Sequence, residues 1–186
     1  MTIRALLDRP APPPTATGRV PGWRAPCSRD TWRRTLYALL ALPVGVACVP
    51  LALLGGSAAA ARLQRGLGRR LLGLPAGAPP RRPRIRAAAH ALLSLPLNLV
   101  AFALTGYLWL AVLMNLAFPA RPWFGIGDGS YQDSWGGPSL AGAWAVHAAG
   151  GLLFLFLLPW VVRAVTAVQG RLLDGLLGAG RYPDRP

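Results

Sequence analysis

Charged side chains disappear from three long stretches of this chain, 35–61, 87–120 and 134–162, and crowd the segments between them. A helix rises about 1.5 Å per residue and needs roughly 20 apolar residues to cross about 30 Å of hydrocarbon. The second and third stretches each hold one such crossing, and neither holds two. "VAFALTGYLWLAVLMNLAF" and "GGLLFLFLLPWVV" lack the polar stripe every three or four residues that a helix of a soluble bundle carries. The pattern predicts an all-α, polytopic helical membrane protein with three apolar helical segments.

The polarity of the connections orients these segments. The loop "PARPWFGIGDGSYQDSWGGPS" has one arginine and two aspartates, which marks the non-cytoplasmic side. Trp123, Tyr131 and Trp135 suit the membrane–water interface there, and Trp160 suits the opposite one. Arg163, Arg171, Arg181 and Arg185 then place the C-terminus in the cytoplasm. The first stretch, 27 residues long, is flanked by arginines on both sides and contains Pro43, Gly45, Pro50, Gly55 and Gly56. A single tilted crossing and a re-entrant hairpin both accommodate it. The charge bias favours the hairpin, with both ends on the cytoplasmic side. The segments "RLQRGLGRRLLGLP" and 163–178 read as basic interfacial helices, with Leu63, Leu67 and Leu71 on one face of the first and Val165, Val168, Leu172 and Leu176 on one face of the second. Residues 1–31, rich in Pro and Arg, are expected to be a disordered tail without a signal peptide, 32–178 the membrane-embedded domain, and 179–186 a flexible end.

Composition sharpens this picture. Of 186 residues 53% are hydrophobic and 14% charged, with 20 basic against 6 acidic residues and a net charge of +14. Every basic residue is arginine, and Gly and Pro number 22 and 19, a bias typical of a GC-rich bacterial coding sequence. The localisation expected is therefore the bacterial plasma membrane. The arginines flank apolar segments rather than a polar, aromatic-rich face, so the charge is read as topological and no nucleic-acid partner is expected. Cys27 and Cys48 lie in a polar and an apolar segment and do not form a framework.

One phrase is repeated. "YALLALPVG" begins at Tyr37 and "HALLSLPLN" at His90, each after a run of arginines. Together with "TWRRTLYALLALPVG" at Thr31, "RGLGRRLLGLP" at Arg65 and "DSWGGPSLAGAW" at Asp133, the repeat resembles the actinobacterial sensor-domain family, a multi-pass module often N-terminal to histidine kinases. The resemblance covers roughly 31–178. It implies two related helical hairpins carrying the phrase in the same orientation, with Pro43 and Pro96 as equivalent kinks, and here a shortened first hairpin. It implies a non-catalytic input module. With the chain ending at Pro186, its signal is expected to pass to a separate cytoplasmic partner such as a histidine kinase.

Candidate chemistry is sparse. His90 and His147 sit at opposite ends of adjacent spans, too far apart for a shared haem, and His147 is expected to hold a backbone or water partner. Asn98 is matched in depth with Pro159, whose ring frees the carbonyl of Leu155, and a hydrogen bond there would lock the hairpin. Ala141, Ala145 and Ala149 offer a small-residue contact face. Asp128 and Asp133 read as turn formers. No enzyme activity, cofactor or metal is expected. The functional expectation is a sensor-like membrane module, with homo-oligomerisation open. The alternative is a small transporter or channel accessory subunit, which would require polar residues converging at mid-membrane.

Overall fold

A computed structural model describes residues 22–75, 82–127 and 130–178. Four helices make up nearly all of it: α1 (Arg29–Leu51), α2 (Ser57–Leu72), α3 (Pro83–Leu116) and α4 (Leu140–Leu177). A π-helical turn (Ala52–Gly56) joins α1 to α2, and 3-10 turns occupy Gly22–Arg24 and Phe118–Phe124. No strand occurs among the described residues. Arg29–Leu72, Pro83–Leu116 and Leu140–Leu177 are each long and apolar enough to cross a membrane, which fits the all-α membrane-protein class.

Local chemistry sets the helix ends. The Ser28 hydroxyl accepts from the Thr31 amide at 3.2 Å and Asp30 sits in the first turn, so α1 starts with a capped, dipole-matched end. The Thr31 hydroxyl donates to the Ala25 carbonyl at 2.7 Å, tying the preceding turn to the helix. Residues 22–31, within the segment expected to be disordered, therefore hold defined structure. The remainder of that tail, 1–21, and the C-terminal segment 179–186 lie outside the described residues. Ser139 caps α4 by accepting from the Gly142 amide, and Gly178 closes it in the left-handed conformation.

α1 and α2 fold back on each other. The reversal is made at Leu54 and Gly55, where Gly55 adopts φ +92°, a conformation open to glycine at little cost. The Cys48 thiol lies 3.7 Å from the Ala60 carbonyl near this turn, and Arg33 donates to the Arg70 carbonyl at the far end. The first apolar stretch is thus a helical hairpin with both ends on one side, as the charge bias favoured. The prolines do not make the turn: α1, α3 and α4 continue through Pro43 and Pro50, Pro96, and Pro159 respectively.

The pairing of α3 with α4 is antiparallel. Asn98 meets Gln169, Leu108 packs with Leu158 and Val162, and the Trp144 indole donates to the Leu116 carbonyl at 3.0 Å. α1 is also antiparallel to α3, because Trp32 stacks on Trp109 (4.8 Å between centroids) while Ala41 meets Asn98. It consequently runs parallel to α4, with Asp30 beside Arg163 and Arg34 beside Thr166. This corrects the orientation expected for the repeat: the copies at Tyr37 and His90 point in opposite directions. The π-helical turn returns the chain toward the level of Arg33, and α3 then starts again from the level of the hairpin's tip, where Ala87 clusters with Ala61 and Leu177.

The result is a molecule in two halves along one axis. Near the loop, α3 and α4 stand as a pair. Beyond Arg163, both are joined by α1 and α2 in a four-helix bundle.

Candidate functional site

The most distinctive chemistry of the molecule lies inside that four-helix bundle. Asn98 projects from α3 toward α1, and its Nδ2 donates to the Ala41 carbonyl at 3.0 Å. Its Oδ1 accepts from Gln169 Nε2 of α4 at 2.8 Å. Space for the Asn98 amide comes from Gly45, where an added Cβ would lie 2.9 Å from Nδ2. One side chain therefore links three helices, and both its partners are set by the covalent structure. A backbone carbonyl only accepts, so Nδ2 must face Ala41, Oδ1 must face Gln169, and the Gln169 carbonyl oxygen points elsewhere.

Gln169 also lines a small polar cavity. Tyr37 of α1, Gln64 of α2, His90, Ser94 and Asn98 of α3, and Gln169 of α4 line it, with Ala41, Val44, Leu67, Leu97 and Leu172 as apolar wall; its volume is about 10 Å³. Three polar atoms among these groups have no partner: Gln64 Oε1, His90 Nδ1 and Gln169 Oε1. Their residues are 7, 5 and 3% exposed, so bulk water does not satisfy them. Ser94 has its hydroxyl 3.5 Å from the Ala91 carbonyl one turn back.

A second polar feature rings the bundle where it meets the α3–α4 pair. Asp30 lies 3.0 Å from Arg34 and 3.3 Å from Arg163, and Arg34 also donates to the Thr166 hydroxyl at 3.1 Å. Thr166 in turn bonds the Val162 carbonyl at 2.6 Å. With Arg33 and the Trp32–Trp109 stack, these groups form a charged and aromatic collar that joins the N-terminal part of α1 to its neighbours.

The residues singled out from sequence fall in different places. Asn98 is in the site, but its partners are Ala41 and Gln169 rather than the carbonyl freed by Pro159. Pro159 is buried one face away, beside Leu158 of the Leu108 cluster. The expected depth match assumed a turn near residue 128; α4 in fact begins at Leu140, and the register slides accordingly. Pro43 and Pro96 are exposed on their helices. His147 bonds the Ala143 carbonyl at 2.8 Å and stacks on Phe118 at 3.8 Å, which supplies the expected backbone partner. Tyr131 packs against the other side of this cluster, 6.0 Å from Phe118. Trp123, Trp135 and Trp160 are exposed at 86, 82 and 65%, the first two near the loop and the third one turn before Arg163. Ala141, Ala145 and Ala149 are exposed rather than packed; the buried small residues of α4 near the loop are Ala143 and Gly151, the latter against Leu116 and Asn115. Asp128 lies outside the described residues, and Asp133 is exposed in the loop.

Gln64 and Gln169 were missed because they lie in segments read as arginine-rich surface helices. No group of three or more metal-ligating side chains occurs among the described residues. Set against protein families, curated proteins and solved structures, the chain matches none of them.

Proposed function

We propose that the protein is a membrane-embedded, sensor-like module that passes a membrane or envelope signal to a separate cytoplasmic protein. One observation carries this reading. α4 is a single helix from the loop to its end at Leu177, and the same helix carries His147 at the loop and Gln169 at the polar centre of the bundle. At about 1.5 Å per residue its 38 residues extend roughly 57 Å, nearly twice the hydrocarbon thickness.

The collar marks where that excess begins. Between Leu140 and Arg163, α4 has no charged residue over about 34 Å, enough for one crossing. In this placement Trp123 and Trp135 sit at one interface, and Trp160, Arg163, Arg33 and Trp32 at the other. α4 makes the complete crossing, and the α1–α2 hairpin packs on its extension beyond Arg163 and on the adjoining part of α3. A shift of α4 against α3 in the bilayer would then reach the bundle through Asn98 and Gln169. The hairpin's tip, where Leu53 and Leu54 are 69 and 87% exposed, is the output surface in this reading.

A photo-crosslinking amino acid at Leu54, compared with one at Trp135, tests the proposal in intact cells. The expected product is a protein adduct from position 54 and none from 135. Adducts with lipid alone from position 54 would overturn it. The second reading, a small transporter or channel accessory subunit, is favoured by the convergence of Tyr37, Gln64, His90, Ser94, Asn98 and Gln169 on one cavity. Solute flux in proteoliposomes that is abolished by Asn98→Leu would establish it instead.

A further inference from the structure

We infer that the cavity among the four helices binds one water-sized guest that donates two hydrogen bonds, either a water molecule or its charged counterpart in size, an ammonium ion. The inference starts from the fixed orientation of the Asn98–Gln169 chain. Because Gln169 Nε2 is committed to Asn98, Gln169 Oε1 is an acceptor with nothing donating to it. Gln64 of α2 lines the same cavity, and its Oε1 is likewise unpartnered. His90 Nδ1 completes the set from α3, and its ring nitrogen donates or accepts according to tautomer.

Size and valence agree. A void of about 10 Å³ is close to the smallest that holds a single water, and such a water makes about three hydrogen bonds. A water offers two hydrogens and two lone pairs. It can donate to both carboxamide oxygens and accept from His90 in the Nδ1–H tautomer. Ammonium has four hydrogens and satisfies both oxygens together with an accepting His90. Leu67, Leu97 and Leu172 supply the apolar wall, which offers a guest no further partner. Leaving the three atoms unpaired at this depth would instead cost about 1–3 kcal/mol each, a load that a marginally stable bundle does not carry without a function for it. Bound, the guest ties α2 to α3 and α4 as Asn98 ties α1 to them, and the four helices share one polar junction.

The test uses the full-length chain in lipid nanodiscs. With ¹⁵N-labelled histidine, solid-state NMR measures polarisation transfer from mobile water protons to the His90 ring through the bound guest. Gln64→Met keeps the volume and removes one acceptor. If a guest is held, transfer to His90 is present in the wild type and weakened in Gln64→Met, and the variant unfolds about 2–4 °C lower, as expected for the loss of roughly 1 kcal/mol in a chain of this size. If the cavity is dry, removing an orphan oxygen is a relief: transfer to His90 is absent and Gln64→Met unfolds higher. That pair of results would overturn the inference, and the wild-type transfer alone decides it should the variant fail to fold. Ammonium chloride titrated against equal sodium and potassium chloride separates the two guests. A selective rise in melting temperature identifies ammonium; equal behaviour in all three salts identifies water.

Discussion

Replacing Asn98 by leucine probes the one side chain that joins three helices. The substitution roughly preserves volume and removes two hydrogen bonds, one to Ala41 and one to Gln169. A typical intramolecular hydrogen bond contributes a net of about 0.5–1.5 kcal/mol. A larger loss follows from what remains. Gln169 is 3% exposed, and its Nε2 loses its only partner among the described residues, which adds about 1–3 kcal/mol. The expected destabilisation is therefore about 2–4 kcal/mol, or on the order of 5–15 °C in melting temperature for a chain of this length. Intrinsic fluorescence of the seven tryptophans during heating in nanodiscs provides the assay. A double-mutant cycle separates the bond from the orphan. Asn98→Leu strands the Gln169 donor, Gln169→Leu strands the Asn98 acceptor, and the double variant strands neither. The double variant should be more stable than the sum of the single losses by on the order of 1–2 kcal/mol. Strict additivity, or an unchanged melting temperature in Asn98→Leu, would refute the assigned geometry.

Three other outcomes follow from the same structure. Gly45→Ala should lower the melting temperature, because overpacking against Asn98 Nδ2 costs about 1–3 kcal/mol against a helix-propensity gain of about 1; in an Asn98→Ala background the same change should become neutral or stabilising, and a gain in the wild-type background would contradict the close approach. Asp30→Asn separates Arg34 from Arg163 at a site where the carboxylate is 47% exposed, so the loss should stay below about 1 kcal/mol and shrink in 1 M salt; a salt-independent loss of several kcal/mol would mean the collar is buried in the assembled protein. In a Cys48→Ala variant, Cys27 should react with a membrane-impermeant maleimide only after cells are opened, alongside an Arg171→Cys probe in a chain lacking Cys27 and in contrast to a Gln132→Cys probe; labelling of Cys27 together with the Gln132→Cys position would put the collar on the other side.

Much of the architecture was legible in where the arginines are not. The three charge-free stretches mark the three apolar segments, and the arginines on both sides of the first imply a chain that turns back. The turn itself falls at Gly55, among the breakers visible in the sequence. The polar site was legible only in Asn98. Gln64 and Gln169 lie on helices whose leucines and valines seemed to define the buried face. The actual buried faces are Ser57, Ala60, Ala61, Gln64 and Gly68 on α2, and Thr166, Gln169, Gly170, Leu173 and Leu177 on α4. Small and uncharged polar residues face inward on α2, while Leu63 faces out at 49% exposure. Reading apolar as inward is a rule for water-soluble helices; where helices approach closely, small residues and amides take the inner positions. A stripe of Ser, Ala, Gln and Gly at helical spacing, opposite the leucines, was the signal available. Register was the other gap. The helix-start signal at Ser139, after Gly136, Gly137 and Pro138, delays α4 until Leu140, and that delay is what pairs Asn98 with Gln169 instead of Pro159.

The two polar features depend on each other through the direction of α1. Had α1 run parallel to α3, as the repeated phrase implies, Asp30 would lie far from Arg163 and Ala41 would not reach Asn98. The antiparallel arrangement satisfies both at once: 11 residues separate Asp30 from Ala41 on α1, a rise of about 16 Å, and on α4 the collar at Arg163 and Thr166 and the amide of Gln169 are ordered in the same direction. The collar holds α1 at one end by charges that salt weakens, and the amide junction holds it further along by bonds that salt does not reach. α1 is thus fastened directly to α4 at the collar and to α3, through Asn98, at the amide junction. A perturbation in the bilayer that moves α4 along its axis must strain both together, whereas a change at the membrane surface acts on the collar first. Raised ionic strength should therefore release the collar before the amide junction.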